Sequence, residues 1–234
     1  MSRLITSIIA LLWSTFTYTQ SQNSFIVKSD IPLNKQINYE SQYLLPQFKP
    51  GHVIYKDLQT GDGNMNYNFL LNEMQFIDNS GKVLAIANPE IISLITIDSL
   101  TFIYTPKGYF QVLKTGKVQW LLKIEGKILV KGKSGAYGQI SGTAAISTLR
   151  NIGGPAGRRF ELSETTEVQV TKEHYYWLAE DNKLVHLTHK NIQKMYPKHK
   201  EKIVAFITDN KLNINKGEDI KTLMKYCEMF DNGN

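Results

Sequence analysis

The sequence predicts an α+β protein, mainly antiparallel β: a meander sheet, or a partly open barrel or sandwich, followed by a small C-terminal helical unit. Three observations carry that expectation. From His52 onward, apolar runs of about five or six residues recur roughly every 8 to 12 positions with turn residues between them. Inside the runs, apolar and polar residues alternate, as strands with one buried face require. Near the end the period changes, with Ile203, Phe206 and Ile207, then Ile220, Leu223, Met224 and Cys227, spaced three and four apart.

Residues 1–21 combine a basic start at Arg3, an apolar stretch from Leu4 to Trp13 and small residues at Thr19 and Ser21. This is the layout of a secretory signal peptide, with cleavage expected near Ser21. The run is too short for the roughly 20 apolar residues that cross a bilayer. Removing it takes away one positive charge, so the formal +6 of the 234-residue chain becomes +5. That excess is too small to choose between an anionic surface and plain solubility. The single cysteine, Cys227, has no internal disulfide partner. Its helical spacing beside Leu223, Met224 and Phe230 marks it as a buried apolar group.

Residues 22–51 are polar, contain Pro32, Pro46 and Pro50, and read as an extended arm. An antiparallel β domain is expected over residues 52–188. Its centre is the stretch from Gly63 to Ile77, read as two short strands meeting at Leu71-Asn72. Met65, Tyr67 and Phe69 share one face, and Asn64, Asn66 and Asn68 the other. Asparagine is disfavoured in strands, and amides that tie down neighbouring loops explain three of them better than a recognition ladder. Asn88 before Pro89 reads as the cap of one short helix. Residues 131–160 interrupt the rhythm with seven glycines and few large apolar groups, a long loop without its own structure. From Lys114 to Arg159 nine basic residues stand against Glu125 alone, a net +8. Residues 189–234 form the helical unit, with helices expected at 191–196, 197–209 and 217–230; Pro197 suits a first helical turn.

The search for chemistry is mostly negative. His186, His189 and His199 have no cysteine or carboxylate pair to frame a metal. Gly132-Lys133-Ser134 lacks the earlier glycine of a phosphate loop, since Lys127 stands there. Ser134 lacks the nucleophile-elbow pattern because Ala136 replaces its second glycine. No acidic cluster suggests glycoside hydrolysis. Glu73 and His52 are the only polar candidates near the middle of the sheet, and no cofactor is implied. The basic segment with Tyr109, Phe110, Trp120 and Tyr137 could meet nucleic acid, but export argues against it. A transmembrane barrel fits poorly with short strands, many lysines and a helical tail.

The run from Gly51 to Leu113, with NYNFLLNEMQFID, GKVLAIANPE and TFIY followed by GYFQVL, resembles a group of exported envelope proteins of Bacteroidota. In that group a KGAYG segment follows; here Ser134 interrupts it, in Lys133-Ser134-Gly135-Ala136-Tyr137-Gly138. The tail from Ile192 to Cys227 is similar too. The resemblance transfers no mechanism, but it implies a Gram-negative envelope and a periplasmic or outer-membrane-associated address. The first expectation is therefore a non-enzymatic scaffold or accessory protein that binds another envelope protein. Its contact would be the helical tail or the basic loop, with Lys131, Lys133, Tyr137, Arg150, Arg158 and Arg159 as the contact residues. Peripheral contact with the membrane surface is compatible with this charge. The alternative is a carrier or sensor of a lipid-like or anionic small molecule, held in a concavity lined by Tyr67, Phe69, Phe76, Trp120 and Leu122. It ranks below the first because those aromatics serve equally well as core.

Overall fold

The computed structural model describes residues 24–28, 31, 33–133, 147–150, 165–181 and 183–231. The described strands are β1 (Ser24–Lys28), β2 (Lys49–Tyr55), β3 (Thr60–Asn68), β4 (Glu73–Ile77), β5 (Val83–Ala85), β6 (Ile92–Ile97), β7 (Leu100–Thr105), β8 (Gly108–Lys114), β9 (Gln119–Lys133), β10 (Ser147–Arg150), β11 (Thr165–Glu180) and β12 (Lys183–His186). They join one antiparallel sheet in the order β1-β11-β9-β8-β7-β6-β2-β3-β4-β5, with β10 beside β9 and β12 beside β11. Helices α1 (His189–Met195), α2 (Lys200–Asp209) and α3 (Gly217–Asp231) follow. The mainly antiparallel sheet, open rather than closed, and the small helical end match the expected class.

The sheet is organised around the ribbon β9–β11, whose two long strands pair from Gln119↔Ala179 to Lys133↔Thr166. Strand alternation gives β9 two characters. Trp120, Leu122, Ile124 and Ile128 point inward and are buried; Leu121, Lys123, Glu125 and Lys127 point outward. The interior holds Val53, Met65, Tyr67, Phe69, Ile95 and Phe102 against Leu122 and Ile124. Aromatic rings meet there edge to face, with Tyr67 and Tyr109 centred 6.0 Å apart.

What curls the sheet is the turn between β3 and β4. It returns to the middle of the ribbon, where the Gly126 amide donates to the Phe69 carbonyl at 2.8 Å. A Cβ at Gly126 would lie 2.9 Å from the Leu70 Cα, so only glycine admits this approach without a backbone shift. The Tyr67 hydroxyl reaches both the Asn72 Oδ1 (2.8 Å) and the Ile124 carbonyl (3.1 Å), fixing the same junction from inside.

Asn66 and Asn68 tie down loops, as their pattern predicts. Asn66 is fully buried; its Oδ1 accepts from the Leu45 amide at 3.1 Å and its Nδ2 donates to the Leu45 carbonyl at 2.8 Å and the Tyr39 hydroxyl at 2.8 Å. Asn68 Oδ1 accepts from the Leu71 amide at 2.9 Å, which shapes the turn itself.

Several local expectations need correction. The 22–51 arm is not merely extended: β1 pairs with β11, short 3-10 turns form at Leu33–Lys35 and Tyr39–Ser41, and β2 already begins at Lys49. Its polar groups bind the asparagine face, a long-range pairing invisible in a local window. Asn88 makes no side-chain cap; it adopts a left-handed backbone (φ 51°) before the 3-10 turn Pro89–Ile91. α2 starts at Lys200, leaving Pro197 in the preceding turn. Residues 131–160 are not wholly irregular, because β9 runs to Lys133 and Ser147–Arg150 pairs with Leu129 and its neighbours.

The helical unit docks on the sheet. Ile192, Ile203, Ile207, Ile220, Leu223 and Cys227 pack against Val118, Trp120 and Leu178. Trp120 Nε1 donates to the Tyr196 hydroxyl at 3.2 Å, and Lys114 pairs with Asp231 in the same seam. Both side chains of that ion pair are largely buried, so losing either one leaves an uncompensated charge.

Candidate functional site

The outward face of the ribbon carries an open cleft of about 470 Å³. Its floor comes from β9 and β11, where Tyr175 lies opposite Lys123 and Trp177 opposite Leu121. One wall is the β7–β8 turn with Lys107, one is Asn72 at the β3–β4 turn, and one is His186 at the end of β12. The turn is held close by Gly108 (φ +100°), where a Cβ would meet the Asn72 amide at 2.5 Å. The tip that seals the interior thus also borders the cleft.

Its electrostatics are unusual for an outer sheet face. Lys123 is only 8% exposed and pairs with Glu125 at 2.5 Å, while its ammonium lies 5.9 Å from the Phe110 ring centre. Lys107 sits over the Trp177 ring at 5.5 Å, and the His186 ring lies 3.6 Å from the same ring, tilted by 32°. Phe110 meets Trp177 edge-on at 5.6 Å, so the indole is clamped on several sides. The imidazole of His186 is held below its ordinary value by desolvation, then by Lys107 and Lys123, with Glu125 opposing. At neutral pH it is therefore uncharged and able to donate or accept. Trp177 is 7% exposed, and its indole N–H has no acceptor among the described residues. Further along, Lys127 pairs with Glu173 at 3.2 Å, and Tyr175 donates to the same carboxylate.

The expected contact residues fall elsewhere. Lys131 and Lys133 lie on the last residues of β9, and Arg150 ends β10, opposite Lys127. Lys131 and Lys133 thus lie at the far end of the ribbon, and Arg150 lies nearer its middle. Tyr137, Arg158 and Arg159 lie outside the described residues. Of the residues expected to line a concavity, Tyr67, Phe69 and Leu122 are core, Phe76 packs against it, and Trp120 lies under the helices in a separate cluster.

Other candidates disperse. His186 belongs to the cleft, His189 opens α1, and His199 stacks on Phe230 at 4.2 Å. Among the described residues no three His, Cys, Asp or Glu side chains gather as a metal site. His52 pairs with Asp62 on the exposed side of β2–β3, and Glu73 accepts from the Gln75 amide on β4, so the two do not converge. Burial pushes the Cys227 thiol up to about 12, which leaves it protonated and inert as a nucleophile at neutral pH. Among the described residues no helix is long and apolar enough to cross a membrane.

The cleft escaped the sequence reading because its walls come from four separate segments. The one local signal was Lys123 and Glu125 alternating with Leu122 and Ile124 beside two aromatics in Tyr175 and Trp177. Comparison with family models, curated proteins and solved structures finds no match to the chain.

Proposed function

We propose that this chain is a non-enzymatic, exported accessory protein of the bacterial cell envelope, in which the curled sheet is a mount and another envelope protein is the partner. The observation that supports it is the ribbon: β9 and β11 stay paired to Lys133 and Thr166, with β1 and β10 bracing their outer edges at that end. The strands on either side of the basic, glycine-rich segment are therefore held in fixed register. Connections built on a rigid scaffold are where recognition usually sits. The helical tail is the weaker candidate for the contact, since its apolar stripes are already spent on the sheet. A lipid-like ligand inside the curl has less support, because Tyr67, Phe69 and Leu122 belong to one buried cluster and Trp120 to another.

The address in this reading is the periplasm or the outer-membrane surface. Affinity capture from native envelopes, with the full chain and with a variant lacking residues 134–158, tests the binding role. A partner retained by the full chain and lost from the variant supports it. Identical partner sets contradict it.

A further inference from the structure

We infer that the outward cleft over the ribbon is a binding site for a compact oxyanion, a carboxylate or sulfate-like group, seated between Lys107, Lys123 and His186. This site is separate from the ribbon end and does not depend on the partner proposed there.

The first support is charge. Two ammonium groups and one imidazole converge from β9, the β7–β8 turn and β12, and among the described residues Glu125 is the only carboxylate lining the cleft. That carboxylate is already engaged by Lys123, so an arriving anion meets Lys107, which has no ion-pair partner among the described residues, and a second lysine that it can share. The second support is shelter. Lys123 is nearly buried, and a charge contact beside low-polarity walls such as Phe110 and Trp177 is screened far less than one on an open surface. The third is position: the Trp177 ring lines the cleft, and its indole N–H, closed off from solvent and without an acceptor among the described residues, reports on changes around the ring. The cleft is larger than one oxyanion needs, which leaves room for a free ion or for the acidic head of a larger molecule such as a sugar acid.

His186 couples the site to protons. The groups that face it are Lys107 from the turn, Lys123 and Glu125 from β9, and the Trp177 ring from β11. The two lysines and desolvation hold the free imidazole below its usual value, whereas a bound anion favours the imidazolium. Binding therefore takes up a proton, and affinity rises as pH falls.

Nitrogen-labelled protein titrated with sodium sulfate, whose charge is constant from about pH 5 to 8, gives the readout. The Trp177 indole N–H resonance is expected to move saturably, while that of Trp120, bonded to Tyr196, stays in place and reports that the fold is intact. Lys107→Gln is expected to weaken binding about fivefold, the scale of one exposed charge contact. His186→Gln is expected to keep binding at pH 8 and to abolish the gain at pH 5.5. Acetate and glucuronate run in parallel separate the sources: equal affinity marks a free oxyanion, and tighter glucuronate marks an acidic head group, both in support. No saturable movement of Trp177 up to about 50 mM sulfate, equal movement of both indoles, or an unaffected Lys107→Gln variant overturns the site.

Discussion

The two faces of β9 are built from the same strand and differ in what their burial is for. Inward, Trp120, Leu122, Ile124 and Ile128 enter apolar clusters in which the Trp120 indole is bonded to Tyr196, while the buried Tyr109 hydroxyl has no partner among the described residues. Outward, Lys123 and Glu125 are almost as enclosed, yet they are charged, and two lysines crowd a neutral histidine there. Burial inside holds the fold together. Burial outside costs stability, because charged groups lose water there.

Substitutions that strike the inner face should therefore cost most. Trp120→Ala removes a fully buried indole from the seam between helices and sheet, and unfolding free energy is expected to fall by about 4 kcal/mol in urea titration. Asn66→Leu keeps the volume but orphans the Leu45 amide and carbonyl; a loss of about 3 kcal/mol is expected by the same titration. Gly126→Ala presses a methyl group onto Leu70 and should cost about 2 kcal/mol, read as a lowered thermal midpoint.

The outer face is expected to answer differently. Lys123→Met strands Glu125 and should cost about 1 to 2 kcal/mol, but adding Glu125→Leu should recover most of it, since an apolar pair replaces a sheltered ion pair. A double-mutant cycle by chemical denaturation measures this. If the double variant is as unstable as the sum of its parts, the outer pair is structural and the contrast between the faces fails.

The inner face was legible in the sequence because strand alternation is local. Met65, Tyr67 and Phe69 against Asn66 and Asn68 announced both the core and the loop-binding amides. The helical stripes were legible for the same reason, with Ile203, Ile207, Leu223 and Cys227 all buried. The outer cleft was not. Lys123 reads as a solvated lysine until the β7–β8 turn, Trp177 and His186 are brought around it, and those lie on segments far apart in sequence. The pairing of β1 with β11 was hidden too, since a strand of five residues at the end of a polar arm carries no periodic signal long enough to read.

The β3–β4 turn closes the curl against the ribbon through Phe69 and Leu70 at Gly126. The Gly126 amide tests this directly, because it donates to Phe69 rather than to a neighbouring strand. Residue-resolved hydrogen exchange should find it as protected as the Leu122 and Ile124 amides, opening only with global unfolding. Exchange of Gly126 orders of magnitude faster than its neighbours would show that the tip lifts, and would return the interior to the list of places where a ligand could enter.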